Sequence, residues 1–351
     1  MKRIIVEHRA PLLTEITVNA CDAMRCDSPK QVAIAASPVA RMCSGGIVNE
    51  EELNNRRQHC HVWATWPYSP RVPYPRTRGS VERLLGELNE NGVDRALIVC
   101  AAISFEVSNA NADNNDYVRR ARAPRADHFD YVVDVDSNWS IQHHHPGARE
   151  RLDEQPARTM SAVGITHNLT EANDGWLQTG VALEFFAAFA AFAECRLLAS
   201  MSPPPSHWTD LAARAAGLPS VQFLLHHLGW VKVGSVETST RLSSRLAASN
   251  QPNICIKISG VHCASARFGY FPVPDTAEIL GQLVATLGAR RLPRGSDFPA
   301  SVGTVTYSQP LGVPRTLLPA FTAADRALLM GGNLARIIDE TRPFDLRAMS
   351  S

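Results

Sequence analysis

SVERLLGELNENGVDRALIVC, residues 80–100, changes its period halfway along. In the first half, Val81, Leu84, Leu85 and Leu88 recur every three to four positions, which is the stripe of an amphipathic helix, and Gly92 stands where a helix C-cap belongs. In the second half the apolar residues of DRALIVC form a short run rich in strand formers. A helix running straight into a covered strand is one unit of an alternating α/β chain.

The same unit recurs on both sides. Apolar, β-rich runs stand at 59–63, 94–100, 129–135, 161–168, 195–200, 221–227, 253–259 and 291–297. Helical patterns fill most of the gaps, at 80–92, 113–124, 182–194, 207–217 (closed by Gly217), 235–249 and 276–288. The connection around HHHPGARERLDE, 143–154, is the least regular. Strands alternating with helices imply a parallel sheet. Eight such units fit a (β/α)8 TIM barrel, typically about 250 residues long. A doubly wound open sheet is the structural alternative, but no G-x-G-x-x-G follows an early strand, which removes the nucleotide-binding reason to prefer it. The expected organisation is an α/β chain with an N-terminal extension over 1–55, which lacks clear periodicity, and a barrel domain over 56–345.

The 351 residues carry 35 basic and 34 acidic side chains, net +1, with no long run of one sign. Nothing in that balance points to a nucleic-acid or anionic-membrane partner, so a small-molecule substrate is expected, and a homo-oligomer is compatible with the composition. The most apolar stretch, FFAAFAAFA at 185–193, is too short to cross a bilayer and reads as a buried helix. The N-terminus has no apolar core of signal-peptide length. Eight cysteines, with no CxxC among them, read as reduced thiols, and the expected compartment is the cytoplasm.

In a barrel, catalytic groups come from the C-terminal ends of the strands. Polar chemistry falls there. His59-Cys60-His61 places two imidazoles on one side of the first strand, because strand residues two apart project to the same face. The sixth strand ends in His226-His227, whose rings should point to opposite faces. His227 is expected at the axis and His226 packed outside. The eighth ends in Ser296-Asp297, where the aspartate either serves the site or caps the next turn. The tract His143-His144-His145 reads as a solvated loop and a poor ligand set. His167, at the end of the fourth strand, is a candidate for the rim. Lys257, in the seventh, either reaches the rim or snorkels.

Taken in order, HCHVW, GVDRALIVC, DNNDYV, VVDVDSNWS, LLHHLG, IKISG, GSDFP and GGNLARII resemble the amidohydrolase-related (amidohydrolase 2) family, in the branch of the 2-pyrone-4,6-dicarboxylate lactonase and sugar-lactone hydrolases. The same superfamily includes metal-dependent decarboxylases. The resemblance covers about residues 58–340. It implies that His59 and His61 match the family's strand-1 pair, His227 the strand-6 histidine and Asp297 the strand-8 aspartate. Asp297 would then act as general base, with the histidines polarising a carbonyl.

Three departures qualify this. Arg57 stands where the family has an acid two residues before the first histidine. His226 replaces the acid of the strand-6 motif. CRLLASMSPPP offers no strand-5 histidine. One divalent ion, zinc or manganese, held by His59, His61 and Asp297, is one expectation, and metal-free catalysis the other. Thr166 and Trp230 stand where a dicarboxylate lactonase would carry arginines, so a less charged lactone is expected, packing against Trp63, Trp230 and Phe298 with His167 nearby. The function expected first is hydrolysis of a lactone or related cyclic ester. The alternatives are a metal-dependent non-oxidative decarboxylase and a catalytically inactive binding barrel.

Overall fold

The structure, a computed structural model, describes residues 57–341 apart from 70, 104–109, 155–161, 192–195, 236–241, 243–245, 248–249, 268–270, 272 and 318–320. The 1–55 extension, most of the 235–249 helix and the last residues of the domain expected over 56–345 lie outside the described residues.

Seven parallel strands form one sheet in chain order: β1 (Arg57–Cys60), β2 (Arg95–Val99), β3 (Phe129–Asp134), β4 (Gly164–Asn168), β5 (Leu197–Ser202), β6 (Val221–Leu225) and β7 (Ile254–Ile256). The sheet curls into a TIM-barrel-like fold. The expected eighth strand is present only as two parallel bridges, Ile258 with Arg294 and His59 with Gly295. Backbone hydrogen bonds extend this seam. Ile258 N donates to Pro293 O at 2.8 Å, Gly295 N to Ile258 O at 3.1 Å, Ser296 N to His59 O at 3.0 Å and His61 N to Phe298 O at 2.7 Å. Residues 293–298 thus bond to both edges of the seven-stranded sheet without reaching strand length.

The opening stretch folds as its pattern predicts. Val81–Glu90 is a helix that buries Val81, Leu84 and Leu88, and Ser80 caps it by accepting from Arg83 N. Gly92, at φ 59°, takes the left-handed turn that leads into β2. Of the apolar 185–193 run, residues 185–190 belong to the helix Gly180–Ala190, with Phe185, Phe186 and Phe189 covered, and 192–193 lie outside the described residues. Among the described residues, no helix is long and apolar enough to cross a membrane.

Alternation along the strands sorts the core into two. Cys60, Ile98, Phe129, Tyr131, Ile165 and Phe223 pack outward under the helices. Leu97, Val99, Val132, Leu198, Leu224 and Cys255 form a second cluster with Leu334, Ile337 and Ile338 of the helix Asn333–Asp339. That helix seals the end of the sheet where β1 begins, and there Arg57 pairs with Asp339 at 3.6 Å. The arginine in the family's acid position therefore serves the closed end of the fold. Gly164 is required by space: a Cβ there would lie 2.1 Å from Leu198 O across the β4–β5 pair.

Candidate active site

The open ends of the strands gather the titratable residues. His59 is fully buried, and neither of its ring nitrogens has a hydrogen-bond partner. Its ring centroid lies 4.8 Å from that of His61, 5.0 Å from His226 and 6.1 Å from His227. His61 Nδ1 lies 2.8 Å from Val99 O. A carbonyl only accepts, so Nδ1 carries the proton and Nε2 keeps its lone pair. Trp63 stacks on the His61 ring at 5.3 Å and donates Nε1–H to Ala101 O, which makes it the wall behind this imidazole.

Strand β6 ends at Leu225, and residues 227–230 form a tight turn with φ of 48°, 56°, 65° and 61°. Left-handed backbone at three non-glycine residues out of four, His227, Leu228 and Trp230, is costly and clusters at functional sites. The turn explains a correction to the sequence reading. In a continued strand, His226 and His227 would face opposite ways. Here His226 follows the inward alternation of Leu224, and the turn swings His227 back to the same site. His226 is buried with its ring 5.5 Å from His227, not packed outside. Its Nε2 lies 2.7 Å from Ser200 Oγ, and Lys257 Nζ donates to the same oxygen at 2.9 Å. Ser200 Oγ thus links the lysine amine to the His226 ring. Lys257 is fully buried and does not snorkel. Ser200 had no sequence signal beyond its place on a strand.

Asp297 sits on the closing segment at φ 58°, with Oδ1 3.8 Å from His227 Nε2. Burial pushes its carboxyl up to about 7, against the opposing pull of the Lys257 charge. Burial also holds Lys257 well below the usual amine range, and Asp297 opposes that shift. Burial lowers His61 to about 4, and it lowers His59, His226 and His227 well below 6.5, with Lys257 and the neighbouring imidazoles adding to the effect. One carboxylate therefore faces four neutral imidazoles and an amine, an environment suited to developing negative charge.

These shifts fix a pH dependence. A histidine lowered on folding stabilises fully above its unfolded value near 6.5 and loses that contribution as pH falls through its folded value, about 4 for His61. Each proton taken up on unfolding costs about 1.4 kcal/mol per pH unit. Asp297, raised on folding, acts in the opposite sense between about 4 and 7, but it is one group against four. The thermal midpoint is expected to drop steeply between pH 6.5 and 5. A flat profile over that interval would contradict the buried cluster.

One ring nitrogen each from His61 and His227 and one Asp297 oxygen lie within 4.8 Å of one another, so these three can hold a metal ion. The free Nε2 of His61 and the carboxylate suit zinc, which takes three protein ligands in hydrolytic sites. This differs from the expected set, with His227 in place of His59. A second group, His262, Cys263 and Asp297, shares the aspartate, and its cysteine is exposed.

The amidohydrolase family model matches residues 54–339. The chain belongs to the amidohydrolase family. No curated protein matches its sequence. Among solved structures, an amidohydrolase from Burkholderia multivorans with bound zinc superposes at a TM-score of 0.64 and 18% identity, covering 81% of this chain and 99% of its own. A probable 2-pyrone-4,6-dicarboxylic acid hydrolase from Acinetobacter baumannii with citric acid bound gives 0.61 at 16%, covering 81% and 99%. A 2,6-dihydroxybenzoate decarboxylase complexed with 2,6-dihydroxybenzoate gives 0.54 at 15%, covering 80% and 97%. At such identities the likeness is one of fold. Membership in the family supports an enzyme of the hydrolase or a related class.

The remaining predicted positions divide. Trp230 stands over the site, its ring 5.1 Å from His227 and its Nε1–H donated to Ser202 Oγ. Phe298 does not line the site. It is fully buried in the outward core, 6.0 Å from Tyr307. His167 also faces away. Thr166, paired with Ser200, takes the inward position on β4, and His167 packs outward on Phe185 and Trp176. With it lie His143 and His144, half-buried, so two rings of the tract are packed, while His145 is exposed as a solvated loop requires. Burial lowers His143, and it lowers His144 to about 4 and His167 to about 3.

Sequence reasoning did not assign roles to the asparagines of DNNDYV or GGNLARII. Asn114 ties the rim together by donating to Val62 O and accepting from Ala101 N. Asn333 donates to Ala289 O and Leu292 O, anchoring the sealing helix beneath the last bridge.

Proposed function

We propose that this amidohydrolase hydrolyses a lactone or related cyclic ester, with Asp297 as general base. The observation that supports it most is the placing of one buried carboxylate, 3.8 Å from His227 Nε2, within a pocket of neutral imidazoles and the Lys257 amine. Asp297 takes a proton from water as the water oxygen attacks the lactone carbonyl. The oxygen that gains charge is met by the unpartnered ring N–H of His59, since the Nε2 of His61 holds a lone pair and can only accept a proton or ligate an ion, and His227 Nε2 relays the proton taken by Asp297 to the ring oxygen as the C–O bond opens. A divalent ion held by His61, His227 and Asp297 would supply Lewis-acid polarisation of that carbonyl. Thr166 and Asn168 on the inner face of β4 offer hydrogen bonds but no guanidinium, and Trp230 adds an aromatic wall, so an uncharged or weakly charged lactone fits better than a dicarboxylate.

The three-ligand group favours one second reading, a metal-dependent non-oxidative decarboxylase of an aromatic acid. Protein purified without added metal, assayed with a lactone panel and a phenolic-acid panel before and after chelation, separates the two. Lactone opening that yields a hydroxy acid supports the first reading. Carbon dioxide release that depends on one equivalent of zinc or manganese supports the second. Ligand binding without turnover in either panel would sink both and leave an inactive binding barrel.

A further inference from the structure

We propose that His143, His144 and His167 form a second metal site, on the outward face of the sheet, that takes one divalent ion of the zinc or copper class. One ring nitrogen from each lies within 4.8 Å of one from each of the others. In all three the Nδ1 atom is already engaged. His143 Nδ1 lies 2.9 Å from Asp136 O, His167 Nδ1 2.7 Å from Val135 O, and His144 Nδ1 2.6 Å from Asp174 Oδ2. These partners accept, so the proton sits on Nδ1 and the lone pair on Nε2. All three Nε2 atoms are buried and have no hydrogen-bond partner, and His167 is only 1% exposed.

Three unmet acceptors this near one another make an unusual cluster; the His143 and His144 rings stack at 3.5 Å with planes 29° apart, so those planes would have to open for both lone pairs to meet one ion. A buried lone pair with no donor is a standing cost to the fold. A single water has two protons and cannot satisfy three acceptors, whereas one cation satisfies all of them. The surroundings fit an ion-binding shell. A carboxylate behind a ligating imidazole, as Asp174 stands behind His144, fixes the tautomer and strengthens the donor. Trp176 stacks on His144 at 4.2 Å, and Phe185 packs 4.8 Å from His167. Arg151 bonds Asp136 Oδ2 at 2.7 Å and His145 O at 3.1 Å, which fixes the loop that carries two of the ligands. Imidazole-only donor sets suit zinc and copper better than magnesium or calcium. Bound there, the ion would tie the loop after β3 to the end of β4.

The test uses the full chain carrying Asp297→Asn, which disables the catalytic group, stripped with chelator and titrated with zinc. One equivalent is expected to bind and to raise the thermal midpoint. Adding Asp174→Asn, at a partly exposed position that keeps its bond to the Trp176 amide, is expected to weaken binding about 10–100-fold. Adding His143→Asn with His144→Asn is expected to abolish it. Uptake that is unchanged across these chains, or absent from the first, overturns the proposal. Should the double histidine variant not fold, copper(II) spin resonance on the Asp297→Asn chain decides. Hyperfine structure from three imidazole nitrogens that is weakened when Asp174→Asn is added supports the site, and a signal from two or fewer, or one that Asp174→Asn leaves unchanged, overturns it.

Discussion

Asp297→Asn is expected to remove at least about 10³-fold of kcat/KM while the protein stays folded. General acid–base groups contribute roughly 10²–10⁴-fold to catalysis, and this carboxylate also belongs to the group that can hold an ion, so its loss touches both roles. The amide keeps the shape of the side chain but cannot take a proton. Stability should not fall. Burial lifts the carboxyl to about 7, so near neutral pH the native state bears the cost of a buried, half-ionised acid, and a neutral amide escapes that cost. The paired measurement is turnover beside the thermal midpoint at pH 7.5. Full activity in the variant would end the assignment of Asp297 as base. Loss of activity together with the cooperative transition would show a structural role instead.

Lys257→Met should likewise separate activity from stability. Lys257 is fully buried and donates to Ser200 Oγ, which in turn serves His226 Nε2. Methionine fills a similar volume without the charge. Taking a desolvated amine out of the core relieves its burial cost, which already holds it well below the usual amine range, so the thermal midpoint is expected to hold or rise. Catalysis should fall by about 10²-fold, in the range set by one electrostatic donor, because both the positive charge near Asp297 and the hydrogen bond that holds Ser200 against His226 are lost. The residual activity carries a further signature. The Lys257 charge lowers the Asp297 carboxyl, so removing it raises the pKa of the base and moves the rising limb of the pH–rate profile to higher pH. An unshifted limb with full activity would reduce Lys257 to a packing residue.

The parts of this architecture that were legible from sequence are those set by local pattern. The helix Val81–Glu90 and strand β2 followed from a change of period. The placing of His59, His61 and Asp297 near one another followed from strand ends in an alternating chain. What could not be read depended on backbone geometry at those ends. The sixth strand stops one residue before His226, and four left-handed residues then cancel the alternation on which the inside–outside assignment rested. The opposite error befell Phe298 and His167. Each lies next to an inward residue, and a one-residue step turns a side chain to the other face. Ser200 was invisible because a serine on a strand has no pattern of its own; only the lysine above it gives it meaning. The histidine tract misled by composition at two of its rings, since their packing depends on Trp176 and Phe185, which are distant in sequence from their own loop.

The seam between residues 293–298 and the two sheet edges bears on how the chain matures. Asp297 meets His59 and His61 only when the last stretch of the sheet docks on the first, and that docking rests on two bridges and a few amide bonds. A nascent chain that has emitted β1 through β7 has its imidazoles in hand but no base to work with. Catalysis thus arrives with the final closure and leaves with its first local opening, well before the seven-stranded sheet itself gives way. In hydrogen exchange, the amides of Gly295 and Ser296 should open more readily than those within β3 to β6, and turnover should track their protection. The enzyme's activity would then serve as a gauge of whether its two chain-distant edges are joined.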